Sequence, residues 1–306
     1  MRIVVMGTGG VGGYFGARLA SAGHEVVFVA RGKHLEAIRA NGLFIESPRG
    51  DLHLQSVNVV ETPDKAEAAD IVMLGVKLWD TETAADAIKP LTDRGAAAVS
   101  FQNGVMKDEI LSERLGTSRV IGGVCYIASE IVSPGRIRHS GTMQKLVFGE
   151  SDGSVSPRVN QFRDACVEAG IDVEISSDIR LATWEKFVFL VGLSGTTGLA
   201  RVPIGPIRTH PRSRAFLRDV MDEVVQVGRA ESVALPADYA DQRLAFCDQI
   251  PATMTSSMHN DLERGNRLEV RWLAGDVVVR GEREGIATPC NRAVFDMLSV
   301  HSEGRQ

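Results

Sequence analysis

The chain has 306 residues, 44% hydrophobic, 24% charged and only 6% aromatic, with 39 Asp plus Glu against 34 Lys plus Arg for a formal charge of −5. At ~150 residues per domain this is room for about two globular domains, and the acidic balance lacks the basic footprint that phosphate-backbone binding needs, so nucleic acid is excluded as a partner. Four scattered cysteines, Cys125, Cys166, Cys247 and Cys290, with no CxxC pair and no His beside them, form neither a disulfide framework nor a zinc site, and no metal is expected.

From the N-terminus, short apolar runs at 3–6, 26–29, 71–76, 97–101 and 120–125 read as buried strands, because unbroken β-branched runs suit a parallel sheet covered on both faces. The opening run is interrupted by glycines and followed directly by a charged helix, which does not read as a signal peptide. Between the runs, residues 11–22, 33–40, 81–88 and 107–115 carry apolar side chains at helical spacing. The alternation is that of a doubly wound α/β domain.

After Tyr126, two alternating stretches, 130–139 and 143–149, are separated by Ser140-Gly141 and read as a hairpin at the end of the sheet. A helix over 157–169 and a strand over 172–175 close this part. Beyond Ser177 strand signals nearly vanish, and 179–199, 213–232, 237–247, 267–284 and 289–298 read as helices. The expected division is therefore 1–176 for a Rossmann domain and 177–306 for an all-helical domain. The longest uncharged apolar run, 187–200, has 14 residues, whereas a bilayer span needs ~20. The protein is expected to be cytoplasmic, away from membranes, with a homodimer left open.

The strongest local signal is Gly7-Thr8-Gly9-Gly10-Val11-Gly12, a GxGxxG that follows a strand and opens a helix. The first glycine permits the tight turn, the second lets backbone approach a pyrophosphate, and the third lets helix and strand pack closely. An NAD-selective loop carries Asp or Glu about 20 residues on, at the end of the second strand. Here that place holds Val29-Ala30-Arg31, and a guanidinium suits a 2′-phosphate that a carboxylate would repel. NADP(H) is the expected cofactor.

Ligands in open α/β sheets collect beyond the carboxyl ends of the strands, which points to Lys77 and Asn103 at the nicotinamide end, although Asn-Gly is also an ordinary turn pair. In the helical half, Lys186 stands among Phe187, Phe189 and Leu190, where desolvation would favour proton release at working pH, and Ser194 lies on the same helix face two turns on. Pairing with Glu185 or Asp178 is the structural alternative. Ser256-Ser257-Met258-His259-Asn260-Asp261 is a dense polar cluster in which Ser257 or Asp261 could cap a helix. Glu269 sits among apolar residues, or else on a solvated face. The arginines and prolines of 201–218 read as a solvated connection.

Taken together, GTGGVG, Arg31, Lys77-Leu78-Trp79, Gln102-Asn103-Gly104, Trp184-Glu185-Lys186, Ser256-Ser257-Met258 with Asp261-Leu262, and Glu269 resemble the ketopantoate reductase (2-dehydropantoate 2-reductase) family over nearly the whole chain. The resemblance implies an NADP-binding Rossmann domain and a helical domain like that of 6-phosphogluconate dehydrogenase, with the active site between them. It implies Lys186 as the general acid and Glu269 as the partner of the substrate hydroxyl. Ser257 would help hold the substrate carboxylate, with Asn103 and Ser194 also in the substrate site. Gly7, Thr8, Gly9, Gly10, Val11, Gly12, Arg31, Lys77 and Asn103 would contact the cofactor. The family's helix usually carries asparagines four and eight residues after the lysine, where this chain has Leu190 and Ser194. The expected reaction is NADPH-dependent reduction of ketopantoate or a related 2-oxo acid. The alternatives are a dehydrogenase of a different hydroxy acid on the same scaffold, and a non-catalytic NADP(H)-binding sensor, against which retention of Lys186 with Glu269 argues.

Overall fold

A computed structural model describes residues 1–305. The chain forms two compact units, one of residues 1–103 and 107–182, the other of residues 104–106 and those from Thr183 on.

The first unit is built on strands β1 (Arg2–Met6), β2 (Glu25–Val29), β3 (Leu43–Glu46), β4 (Leu52–Leu54), β5 (Asn58–Val60), β6 (Ile71–Leu74), β7 (Ala97–Ser100), β8 (Val120–Ser133), β9 (Arg136–Gly149) and β10 (Asp172–Ile175). Six of them pair in parallel in the order β5-β2-β1-β6-β7-β8. This is the doubly wound arrangement, with its order reversing between β1 and β6. The helices are α1 (Gly10–Ser21), α2 (Gly32–Asn41), α3 (Thr81–Asp93), α4 (Met106–Leu115) and α5 (Pro157–Glu168). Alternate residues of β1 serve opposite faces of the sheet. Ile3 and Val5 join the core with Tyr14, Phe15 and Phe162, while Val4 and Met6 join the core with Ala84, Ile88 and Leu111. Burial on both faces is why these strands are continuous apolar runs.

Three features depart from expectation. The hairpin turns at Pro134-Gly135, where Gly135 takes φ +76°, and not at Ser140-Gly141, which lies within β9. There the register jumps from Ile127 opposite Gln144 to Ala128 opposite Ser140, so residues 141–143 bulge from the ladder. β8 accordingly runs unbroken from Val120 into the hairpin. Strands β3, β4 and β5 were not anticipated; each has only three or four residues.

The second unit is helical: α6 (Ile179–Ala200), which begins in the first unit, α7 (Ile204–Thr209), α8 (Pro211–Ala230), α9 (Tyr239–Gln249), α10 (Ser257–Arg264), α11 (Ala274–Glu284) and α12 (Pro289–Ser299). The helix expected over 267–284 is broken. Leu268 N donates to Ser302 O instead of joining a helix, a short 3-10 turn covers Val270–Trp272, and Leu273 (φ −107°, ψ −100°) redirects the chain into α11. The arginine-rich stretch is helical where a loop was expected, although Arg201, His210 and Arg212 are exposed. It contains α7 and the start of α8; Arg208 donates to Cys247 O and Ile250 O, Arg214 pairs with Asp248, and Arg218 pairs with Asp241. Among the described residues no helix is long and apolar enough to cross a membrane.

Candidate active site

In the first unit the glycine loop lies at the carboxyl end of β1, where the strand order reverses. Gly7 adopts φ +99°, and Gly75 N donates to Met6 O at 2.9 Å, holding the ends of β1 and β6 side by side. A Cβ on Gly12 would lie 2.2 Å from Gly7 O, so this position requires glycine for helix–strand contact. A Cβ on Gly10 would lie 2.5 Å from Ser129 O. Gly9 is different: a Cβ there would meet only Gly75 O, at 3.7 Å. Open space above a glycine backbone, at an α1 N-terminus that no side chain caps, fits a pyrophosphate. Thr8 is buried and anchors the loop to β2 by donating from both N and Oγ1 to Val29 O, at 3.0 and 2.9 Å. Val11 follows in the first turn of α1, half-buried.

Two residues beyond Val29, Arg31 is exposed at the start of α2. No carboxylate stands between Val29 and Lys33, so the donor set fits a phosphorylated ribose better than a bare diol. Lys77 begins the turn after β6, its ammonium 5.7 Å from the Trp79 ring centroid. Asn103 is half-buried beyond β7 and precedes Gly104 at φ +84°. These two segments are joined by a network that sequence reasoning missed. Ser100 Oγ donates to Gln102 Oε1 (2.9 Å), Gln102 Nε2 to Thr81 Oγ1 (2.8 Å), and Thr81 Oγ1 to Leu78 O (2.8 Å), all buried. The only sequence signal was that Gln102 adjoins Asn103.

In the second unit Lys186 is half-buried on α6, one residue before the buried Phe187. Leu190 is half-buried one turn on. Ser194, two turns on, is 1% exposed, and its hydroxyl has no hydrogen-bond partner. Thr197 continues the same face, and its carbonyl accepts from His259 Nδ1 at 2.9 Å, which ties α10 to α6. Ser256, not Ser257, caps α10, its Oγ accepting from His259 N at 3.0 Å. Ser257 is thereby left exposed as the first residue of the helix. Glu269 is only 8% exposed, so it is no solvated-face residue; it sits at the corner before the Val270–Trp272 turn. The loop, Arg31, Lys77 and Asn103 thus belong to the first unit, and Lys186, Ser194, Ser257 and Glu269 to the second.

Burial, reinforced by Glu223, pushes the Cys290 thiol up to about 12, and burial pushes Cys247 up to about 11. Among the described residues no group of three or more His, Cys, Asp or Glu is placed to hold a metal.

Comparison with known proteins covers both units. The family model described as ketopantoate reductase PanE/ApbA matches residues 3–153, and its C-terminal counterpart matches residues 178–302. A 2-dehydropantoate 2-reductase of Archaeoglobus fulgidus is 33% identical over 299 residues, covering 97% of this chain and 96% of the relative. The crystal structure of a PanE/ApbA family ketopantoate reductase from Ralstonia eutropha JMP134 superposes with a TM-score of 0.90 at 34% identity, covering 99% of this chain and 98% of the other. A D-mandelate dehydrogenase solved with NADH and anilino(oxo)acetate also has a TM-score of 0.90, covering 99% of this chain and 98% of the other, but at 18% identity it shows the shared fold alone.

Proposed function

The chain belongs to the ketopantoate reductase family and is an oxidoreductase acting on CH–OH groups, and from that premise we propose that it reduces 2-dehydropantoate or a closely related 2-oxo acid with NADPH. The observation that carries the cofactor reading is the open cradle at Gly9, followed at the end of β2 by Arg31 in place of a carboxylate. Gly7–Gly12 would hold the pyrophosphate, Arg31 the 2′-phosphate, and Lys77 and Asn103 the nicotinamide end.

A bound dihydronicotinamide supplies the hydride. The chain's own residues manage the charge. Lys186 gives a proton to the oxygen that was the ketone, so no free alkoxide accumulates. Glu269, being buried, offers its carboxylate to a substrate hydroxyl in a setting where such a bond is strong. Ser257, exposed at the start of α10, donates to the substrate carboxylate.

One observation favours a second reading, a different 2-hydroxy acid on the same scaffold. The Ser194 hydroxyl is buried without a partner, and the turn before it presents Leu190. A pocket there would reward an apolar substituent together with one polar atom that satisfies the serine.

The test is NADPH oxidation followed at 340 nm with ketopantoate, beside NADH and beside a panel of 2-oxo acids. NADPH-dependent turnover of ketopantoate supports the first reading, and turnover of other oxo acids alone supports the second. Cofactor binding with no turnover of any oxo acid would refute both.

A further inference from the structure

His34 stands three residues past Arg31, half-buried in the first turn of α2. Both of its ring nitrogens are engaged by main chain: Nε2 lies 2.8 Å from Thr8 O, and Nδ1 lies 3.0 Å from Gly135 N. A carbonyl only accepts and an amide N–H only donates, so Nε2 carries the hydrogen and Nδ1 the lone pair. The ring is therefore neutral, in one tautomer. Thr8, on the far side of its peptide, donates twice to Val29 O. The middle of the glycine loop is thus bolted to the end of β2 and to the first turn of α2, on either side of Arg31. Gly135, at the hairpin turn, is held in its own place by accepting from Phe44 N at 2.9 Å.

We propose that His34 is a positioning residue for the dinucleotide: as a neutral imidazole it fixes the glycine loop relative to the turn that carries Arg31, and its protonation releases the loop and weakens cofactor binding. The proposal rests on the reading of Gly7–Gly12 and Arg31 as the cofactor site. A second ring proton would sit on Nδ1 and point at the Gly135 N–H, donor against donor. The ring would have to turn, and the bond to Thr8 would go with it.

The surroundings favour the neutral ring. Burial holds the imidazole below its ordinary range, with the Thr8 bond pulling the other way. On α2 itself Arg31, Lys33 and Glu36 are exposed. The hairpin contributes Glu130 and Arg136, the latter paired with Glu46 of β3 and lying over Phe44. The glycine loop and the first two turns of α1 carry no charge, the nearest on that helix being Arg18.

The experiment measures NADPH Kd by titration from pH 5 to 8.5 for wild type, His34→Ala and His34→Gln, with Tm and saturating kcat on the same preparations. Alanine is expected to raise Kd about tenfold at pH 7.5, the worth of one hydrogen bond, with kcat within about twofold. Glutamine can donate an amide N–H to Thr8 O and does not titrate. It is expected to bind within a few-fold of wild type at pH 7.5 and to lack the imidazole's share of the acid-side loss, whereas the cofactor's own phosphate titrates identically in both proteins. Coincident wild-type and glutamine profiles would overturn the proposal, as would an alanine variant of lower Tm with unchanged Kd. Should alanine fail to fold, the wild-type and glutamine profiles decide alone. Wild type that binds neither NADPH nor NADH would overturn the cofactor reading, and this proposal with it.

Discussion

Gln102 Nε2 donates to Thr81 Oγ1 at 2.8 Å, so the end of β7 is fastened to the start of α3, just past the turn that Lys77 begins. Replacing Gln102 by Ala leaves the buried Ser100 hydroxyl without its acceptor and takes from Thr81 Oγ1 one of its two bonds, that to Leu78 O remaining, at a cost of about 1–3 kcal/mol. Lys77 and Asn103 then lose their common frame, and the KM for NADPH should rise more than kcat falls. Calorimetry and steady-state kinetics on the same preparation check both. An unchanged KM in a destabilised protein would confine this network to a structural part.

Gly9 and Gly12 are expected to respond in opposite ways to alanine. At Gly12 a Cβ would lie 2.2 Å from Gly7 O, so backbone must move and Tm should fall by several degrees. At Gly9 the backbone (φ −79°, ψ −164°) suits any residue and the added methyl meets nothing closer than 3.7 Å, so Tm should hold while NADPH binding is lost. Gly9→Ala that binds cofactor normally would remove the pyrophosphate from that space.

Arg31→Glu should shift cofactor choice towards NADH. Loss of a charge-assisted contact worth about 1.5–3 kcal/mol corresponds to a fall of about 10–100-fold in kcat/KM for NADPH, with NADH spared. The ratio of the two cofactors' kcat/KM values is the readout, and an unaltered ratio would leave Arg31 as a surface charge.

Lys186→Ala should lower kcat by about 10²–10⁴-fold, the usual loss on removing a general acid, with NADPH Kd unchanged. Lys186→Arg keeps the charge but has no proton to release near neutrality, and it should not restore turnover. Single-turnover measurements would separate the hydride step from product release.

Glu150 lends itself to a pH test of stability. Burial alone would raise its pKa, but hydrogen bonds from Arg158 and Ser156 outweigh burial and hold it below the usual carboxylate range. A carboxyl depressed in the folded state adds stability that is fully present above its unfolded pKa, near 4.5, and lost as pH falls through the lower folded value. Glu150→Gln should therefore be less stable than wild type by about 1–3 kcal/mol at pH 7, with the two converging in urea titrations carried below pH 4.5. A gap that persists to the lowest pH would mean that packing is the cause.

The parallel strands were legible because burial on both faces leaves an unbroken apolar run, as in Ile71–Leu74. The edge strand β4 was not, because Leu52–Leu54 is three residues with no buried side chain and exists only through its pairing with β3. Pro134-Gly135 and Ser140-Gly141 are both turn pairs. Choosing between them depends on how β9 aligns with β3 and β8, which local composition does not encode. The places of the glycine loop, between β1 and α1, and of Arg31, just past β2, were legible because adjacent residues mark them. The bonds of Gln102 and His34 were not, since their partners lie 21, 26 and 101 residues away, and in two of these three cases are backbone atoms without a sequence signature.

Deep in the second unit, the buried side chain of Arg280 donates to Asp276 Oδ2 and to both oxygens of Glu231, beneath the Trp184 ring on the helix that carries Lys186. Exchanging Arg280 for a neutral residue leaves two buried carboxylates without its charge, Glu231 still held by Arg283, whereas exchanging either carboxylate leaves Arg280 paired with the other. Arg280 is therefore the member of this set least open to exchange, and the helix bearing the proposed proton donor shares that constraint on the side where Trp184 packs.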